Sequence, residues 1–109
     1  MSFINKFLTG EEEEEYENGH NIEAIRGNIK VFCPNGFNET SEIANYVKAG
    51  NAAIINYAKT PKDEAQRSID LMTGLTYGID GKSCKIGHSV VLCVPQGVDV
   101  ENEYHDEED

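Results

Sequence analysis

The side chains able to do chemistry in this 109-residue sequence are three cysteines, Cys33, Cys84 and Cys93, and three histidines, His20, His88 and His105. Their spacing suits neither a metal nor a disulfide framework: no CxxC pair occurs, and the cysteines are odd in number and widely separated. Buried, reduced thiols are the reading that fits. His20 and His105 fall in acidic stretches, where a solvated imidazole is the ordinary outcome. His88 precedes Cys93 in KIGHSVVLCV, and that pair alone offers a nucleophile beside a base. SVVLCV reads as a core strand, however, which withdraws the thiol from use. No glycine-rich phosphate loop follows a strand, so nucleotide binding has no support, and no metal or cofactor is expected. The sequence predicts a protein that is not an enzyme.

Charge divides the chain into parts. The formal net charge is −11, yet residues 28–100 carry seven bases and seven acids. The excess sits in residues 1–27, with seven acids against two bases, and in residues 101–109, with six acids and no base. A neutral middle is expected to fold as one small domain, flanked by an acidic flexible linker over 11–27 and an acidic disordered tail over 101–109. Two acidic tails repel a polyanion, which argues against nucleic acid as a partner.

The elements that position the middle follow from pattern. IKVFC (29–33), β-branched and aromatic, reads as a strand ended by Pro34, Asn35 and Gly36. Asn38 is a candidate cap for a helix over 39–49, with Ile43, Ala44 and Val47 on one side and Gly50 as its stop. AAIINY (52–57) is the next strand. In TPKDEAQRSIDLMTG, Thr60 reads as the cap, Pro61 as the first helical residue and Gly74 as the terminator, with Ala65, Ile69 and Met72 facing the core. Lys62, Asp63, Glu64 and Arg67 read as a solvated face of that helix. LTYGI (75–79), a tight turn at Asp80-Gly81, SCKIG (83–87) and SVVLCV (89–94) then read as three strands, the last stopped by Pro95. The fold class predicted is α/β, an α+β sandwich of order βαβαβββ, with two helices packed on a five-stranded mixed sheet. In SVVLCV both alternating sets are apolar, Val90, Leu92 and Val94 on one side and Val91 and Cys93 on the other. Such a strand is covered on two faces, and two helices cover one. The other face is expected to pair with a second copy about a two-fold axis.

Residues 1–10, MSFINKFLTG, carry Phe3, Ile4, Phe7 and Leu8 at i, i+1, i+4 and i+5, one stripe of a helix, with Lys6 beside it. Such a segment suits the plane of a membrane, apolar face down and Lys6 near anionic head groups. Complete burial of four such side chains is worth roughly 1.5–3 kcal/mol each, and ordering the backbone costs about 1 kcal/mol or more per residue. One copy is a marginal anchor, and several copies on one assembly gain by avidity. The glutamates at 11–15 are pushed away from an anionic bilayer and act as spacer. No apolar run approaches the roughly 18 residues needed to span a bilayer. The expected location is cytoplasmic and peripheral, at the inner face of the membrane.

The stretches SEIANYVKAGNAAIINYAKTPKDEAQRSIDLMTGLTYGIDG and KIGHSVVLCVPQGVDV, within Asn28 to Val100, resemble the SepF family of bacterial cell division proteins. The layout of amphipathic segment, acidic linker and core domain is also similar to the family's. It implies an adaptor of the division ring that tethers the tubulin-like GTPase FtsZ to the membrane by binding its C-terminal peptide. It also implies dimers formed through the exposed sheet face, and further assembly into arcs or rings. The family's peptide pocket uses a basic residue before Ile-Gly and an aromatic on the following strand, which places Lys85 and Val91 in those roles here. Lys85 suits a peptide carboxylate. Val91 offers less area than a phenyl ring, so the apolar contact is expected to be shared with Ile86, Val90 and Leu92. Gly74 and Gly81 match family glycines at the helix end and the strand turn. On the residues alone, a small-ligand-binding regulatory module stands as the alternative, since small α/β sandwiches that pair through sheets often bind metabolites.

Overall fold

In the computed structural model residues 27–105 are described. The membrane segment predicted at Phe3, Ile4, Lys6, Phe7 and Leu8, and the linker up to residue 26, lie outside them. Within them the chain forms strand β1 (Ile29–Phe32), a 3-10 turn (Phe37–Glu39), helix α1 (Thr40–Lys48), strand β2 (Ala52–Asn56), helix α2 (Lys62–Gly78), and strands β3 (Lys82–Gly87) and β4 (Val90–Val94). The sheet order is β1-β2-β4-β3. β1 and β2 are parallel, while β4 is antiparallel to both β2 and β3. The β3–β4 hairpin therefore folds its second strand back into the slot beside β2, and each helix is the crossover of a parallel β-α-β unit.

The sheet has four strands rather than five, because LTYGI is helical. α2 runs straight through Gly74, which is an interior residue and not a stop. The reason is a stripe that the apolar pattern understates. Ser68, Met72 and Thr76, spaced four apart, are all buried, and Leu75 and Ile79 pack against the core on the same side. The end of α2 comes where Asp80 takes a positive φ of 62° and Gly81 donates its N–H to the Thr76 carbonyl at 2.7 Å. Asp80-Gly81 is accordingly a helix-to-strand turn. A Cβ on Gly81 would run into the Val94 carbonyl oxygen, so glycine lets β3 start against the end of β4.

The helix starts also differ from expectation. Asn38 lies in the 3-10 turn and α1 begins at Thr40, with no side-chain cap. Thr60 does not cap α2 either: its hydroxyl donates to the Pro34 carbonyl at 2.6 Å, tying the β2–α2 loop to the chain just after β1. Glu64 and Arg67 are not simply solvated. The Glu64 carboxylate accepts the Phe37 N–H at 2.8 Å, and the Arg67 guanidinium lies 4.2 Å from the Phe37 ring centre, so α2 pins the 3-10 turn with a charge-assisted bond and a cation–π contact. Gly50, by contrast, ends α1 as its pattern predicts, with a φ of 100° and its N–H bonded to the Val47 carbonyl.

The core lies between the helices and one sheet face: Ile43 and Val47 from α1, Met72 from α2, Ala53 and Ile55 from β2, and Val91 and Cys93 from β4. Each strand sends alternate residues to this face and the rest to the other. The register sets Val31, Ile54, Leu92 and Cys84 in one row across the far face. Among the described residues no helix covers that row, and Val31 is 58% exposed.

Candidate functional site

The five side chains proposed from sequence for peptide contact all come from the β3–β4 hairpin, and the hairpin divides them. Lys85 pairs with Val91, and Gly87 with Val90, leaving Ile86 as the extra residue of a bulge next to a two-residue turn. Lys85 and Val91 line the helix side of the sheet, while Val90 and Leu92 fall on the open face. Ile86, on the bulge, is half-buried. The site read as one apolar patch is therefore two surfaces.

The first is a groove of about 630 Å³ between α2 and the hairpin. Tyr57 and Val91 form part of it, Ile69 comes from α2, Lys62 stands on the first turn of α2, and Lys85 and His88 stand on the hairpin. Val91 is only 8% exposed, so it offers a patch of floor rather than a projecting anchor. The lining holds two lysines and no carboxylate among the described residues. An extended segment with acidic and apolar side chains matches that chemistry. The hairpin is held in place by the Tyr57 N–H, which donates to the Ser89 carbonyl at 2.8 Å. The Lys85 carbonyl accepts from the Asn102 amide at 2.9 Å, and Lys82 pairs with Asp99 at 3.2 Å. These two bonds, in equal steps, lay residues 99–102 alongside β3 in the same direction.

The second surface is a trough of about 400 Å³ on the open face, which sequence reasoning did not anticipate as a concavity. Ile29, Ile54, Leu92 and Val94 line it from the sheet, and Val98 and Val100 line it from the returning segment after a turn at Gly97, whose φ is 93°. The signal was present in VPQGVDV, where Val98 and Val100 alternate with the exposed Asp99. Gly27 and Gly50 also line it.

Cys93, the thiol that the sequence sets near His88, lines neither surface. Cys93 is fully buried, and loss of solvation, with the nearby Cys84 adding to it, pushes its thiol up to about 12. His88 is exposed on the hairpin turn. All three cysteines are free, and the expectation that all are buried fails at Cys33, which is exposed at the end of β1. Gly74 touches nothing beyond its own helix, whereas Gly81 makes the close approach to β4 already described. No helix among the described residues is long and apolar enough to cross a membrane.

Comparison with known proteins agrees with this architecture. Residues 29–100 match the family described as cell division protein SepF. Curated relatives named cell division protein SepF include those of Halalkalibacterium halodurans, 34% identical over 80% of this chain and 61% of that one, and of Anoxybacillus flavithermus, 30% identical over 80% and 63%. The Bacillus subtilis protein of the same name is 31% identical over 77% of this chain and 57% of its own length. The match thus spans about three fifths of these relatives. Among solved structures, a SepF-like protein from Archaeoglobus fulgidus is similar with a TM-score of 0.64 and 24% identity, covering 72% of this chain and 99% of that one. A SepF-like protein from Pyrococcus furiosus gives a TM-score of 0.59 at 17% identity, covering 67% and 92%. These two likenesses speak to the fold.

Proposed function

The chain belongs to the SepF family of cell division proteins, and from that premise we propose that it is a non-enzymatic adaptor which binds the C-terminal peptide of FtsZ and tethers FtsZ filaments to the cytoplasmic membrane at the division site. The observation that carries the peptide half is the groove between α2 and the β3–β4 hairpin. It is concave, apolar along Ile69 and Val91, and bordered by Lys62 and Lys85 without a carboxylate among its described lining residues. A carboxylate of the peptide meets Lys85, and an apolar residue of the peptide lies against Val91.

The membrane half is supported by the stripe of Phe3, Ile4, Phe7 and Leu8 with Lys6. Self-association is supported by the uncovered row Val31, Ile54 and Leu92, an apolar sheet face that a second copy covers about a two-fold axis. Pairing two copies doubles the number of weak membrane anchors on one body and raises their joint hold on lipid.

Titration of a labelled FtsZ C-terminal peptide into the full chain and into Lys85→Glu tests the peptide half. Binding to the wild type that is lost in the variant is expected. Equal affinity would move the site away from Lys85, and no binding to either protein would remove the function. For the membrane half, the full chain should sediment with anionic vesicles and its Phe3→Glu/Phe7→Glu variant should stay in the supernatant; co-sedimentation of both would refute the anchor.

A further inference from the structure

The trough on the open sheet face has a feature that the peptide groove lacks. Its lining includes Gly27, the first described residue, so the chain before Gly27 joins the fold at this concavity. Its lining from the strands, Ile29, Ile54, Leu92 and Val94, and from the returning segment, Val98 and Val100, is apolar, and Asp99 is the one charged side chain among its described lining residues. Nineteen positions before Gly27 is Leu8, the last of the four large apolar side chains Phe3, Ile4, Phe7 and Leu8.

The distances permit the two to meet. A flexible tether of that length has a root-mean-square reach of about 22–26 Å, while β1 and β4 are separated by two strand spacings, about 10 Å. A short tether holds its end at an effective concentration on the order of millimolar, so an affinity that would be negligible between separate molecules is enough to fill the site. The seven glutamates between them are too strongly solvated to compete for an apolar lining. We propose that this trough receives the chain's own residues 3–8, and that an anionic lipid surface draws the segment out by competing for the same four side chains. The lipid step rests on the membrane reading above; the docking does not. Docking and sheet-face pairing share Ile54 and Leu92, so arrival at a bilayer uncovers part of the face through which a second copy binds.

The chain contains no tryptophan, so Phe7→Trp in the full chain is a single reporter. Its emission is expected to be blue-shifted without lipid, to stay so on serial dilution, and to move to the water-exposed position when Ile54→Glu is added. Val98→Glu, on the returning segment rather than in the paired sheet, should do the same, and circular dichroism of both variants checks that they are folded. If the docked form holds about nine-tenths of the molecules, releasing it tightens binding to phosphatidylglycerol vesicles about tenfold in Val98→Glu. Emission at the water-exposed position in the parent Phe7→Trp protein, or unchanged by either charge, overturns the docking. A blue shift that vanishes on dilution makes a second copy the occupant and overturns it too. Docking that holds while vesicle affinity stays unchanged overturns the lipid step alone.

Discussion

The Tyr57 hydroxyl lies 2.8 Å from the Ser68 hydroxyl, inside the layer between α2 and the end of β2, and Thr40 at the start of α1 donates to the same Ser68 oxygen at 2.8 Å. One small side chain thus joins three elements, and all three groups are buried. Ser68→Ala strands two hydroxyls without a partner and is expected to destabilise the fold by about 1–3 kcal/mol. Tyr57→Phe leaves the Thr40–Ser68 bond in place and should cost less, about 1 kcal/mol. Urea unfolding of both and of the double variant tests the link; strictly additive losses would show that the network does not act as a unit.

Stability should fall at alkaline pH. Burial raises Cys93 from 9.0 to about 12, and burial also raises Tyr57 above 10.0, an effect opposed by its Ser68 bond and aided by the Cys93 charge. Both groups are neutral when protonated, and the folded protein holds the proton more tightly than the unfolded chain. Their contribution is therefore complete below pH 9.0 and is lost as pH rises toward 12. Urea midpoints across that range should decline, and Cys93→Ala, though less stable at neutral pH because of the cavity it leaves, should decline less steeply. Parallel slopes in the two proteins would refute the assignment. At neutral pH a thiol reagent should react fast with exposed Cys33 and reach Cys93 only on unfolding.

The two glycines singled out by sequence should respond oppositely to alanine. Gly74 lies inside α2, exposed, with open space where a Cβ would stand, so Gly74→Ala is expected to stabilise by about 0.5–1 kcal/mol. Gly81→Ala drives a methyl group into the Val94 carbonyl and must part β3 from β4 or move the turn, so it should destabilise by more than that. Thermal melts of the pair settle whether α2 continues past Gly74: a destabilising Gly74→Ala would mean the helix stops there.

Those glycines also show what was legible in the sequence. β1, β2, β4 and the partition of β4, with Val91 and Cys93 inward and Leu92 outward, were readable because β-branched runs alternate with period two and end at Pro or Gly. The second half of α2 was not, since TGLTYG combines two glycines with residues that favour strands, and the buried positions that extend the helix are the polar Thr76 and Ser68. Ser68 is satisfied by Thr40 and Tyr57 from other elements, of which local propensity carries no trace, while Thr76 donates to the Thr73 carbonyl within the helix. The site was half legible for a related reason. Lys85 and Val91 are cross-strand partners and share the groove, but the open-face trough is built by Val98 and Val100 returning over the sheet, a contact that depends on tertiary folding and not on spacing.

The groove predicts a second basic residue for the peptide that the sequence pattern did not single out. Lys62 read as one charge on a solvated helix, yet the first turn of α2 sets it on the border of the groove that also holds Lys85. Exposed pairs of this kind contribute about 0.2–1 kcal/mol each, so Lys62→Glu is expected to weaken binding of the FtsZ C-terminal peptide by about 1.5- to fivefold, and the difference from wild type should shrink as salt is raised. The same change places an acid in the first turn of a helix, where it favours the helix dipole, so thermal stability should hold or rise and loss of binding would not reflect unfolding. Lys59→Glu supplies the control, because Lys59 is equally exposed, three residues earlier, and outside the groove lining. Equal losses in the two variants would reduce the effect to net charge and detach the peptide from this groove; a loss confined to Lys62→Glu would place its acidic residue between α2 and the hairpin.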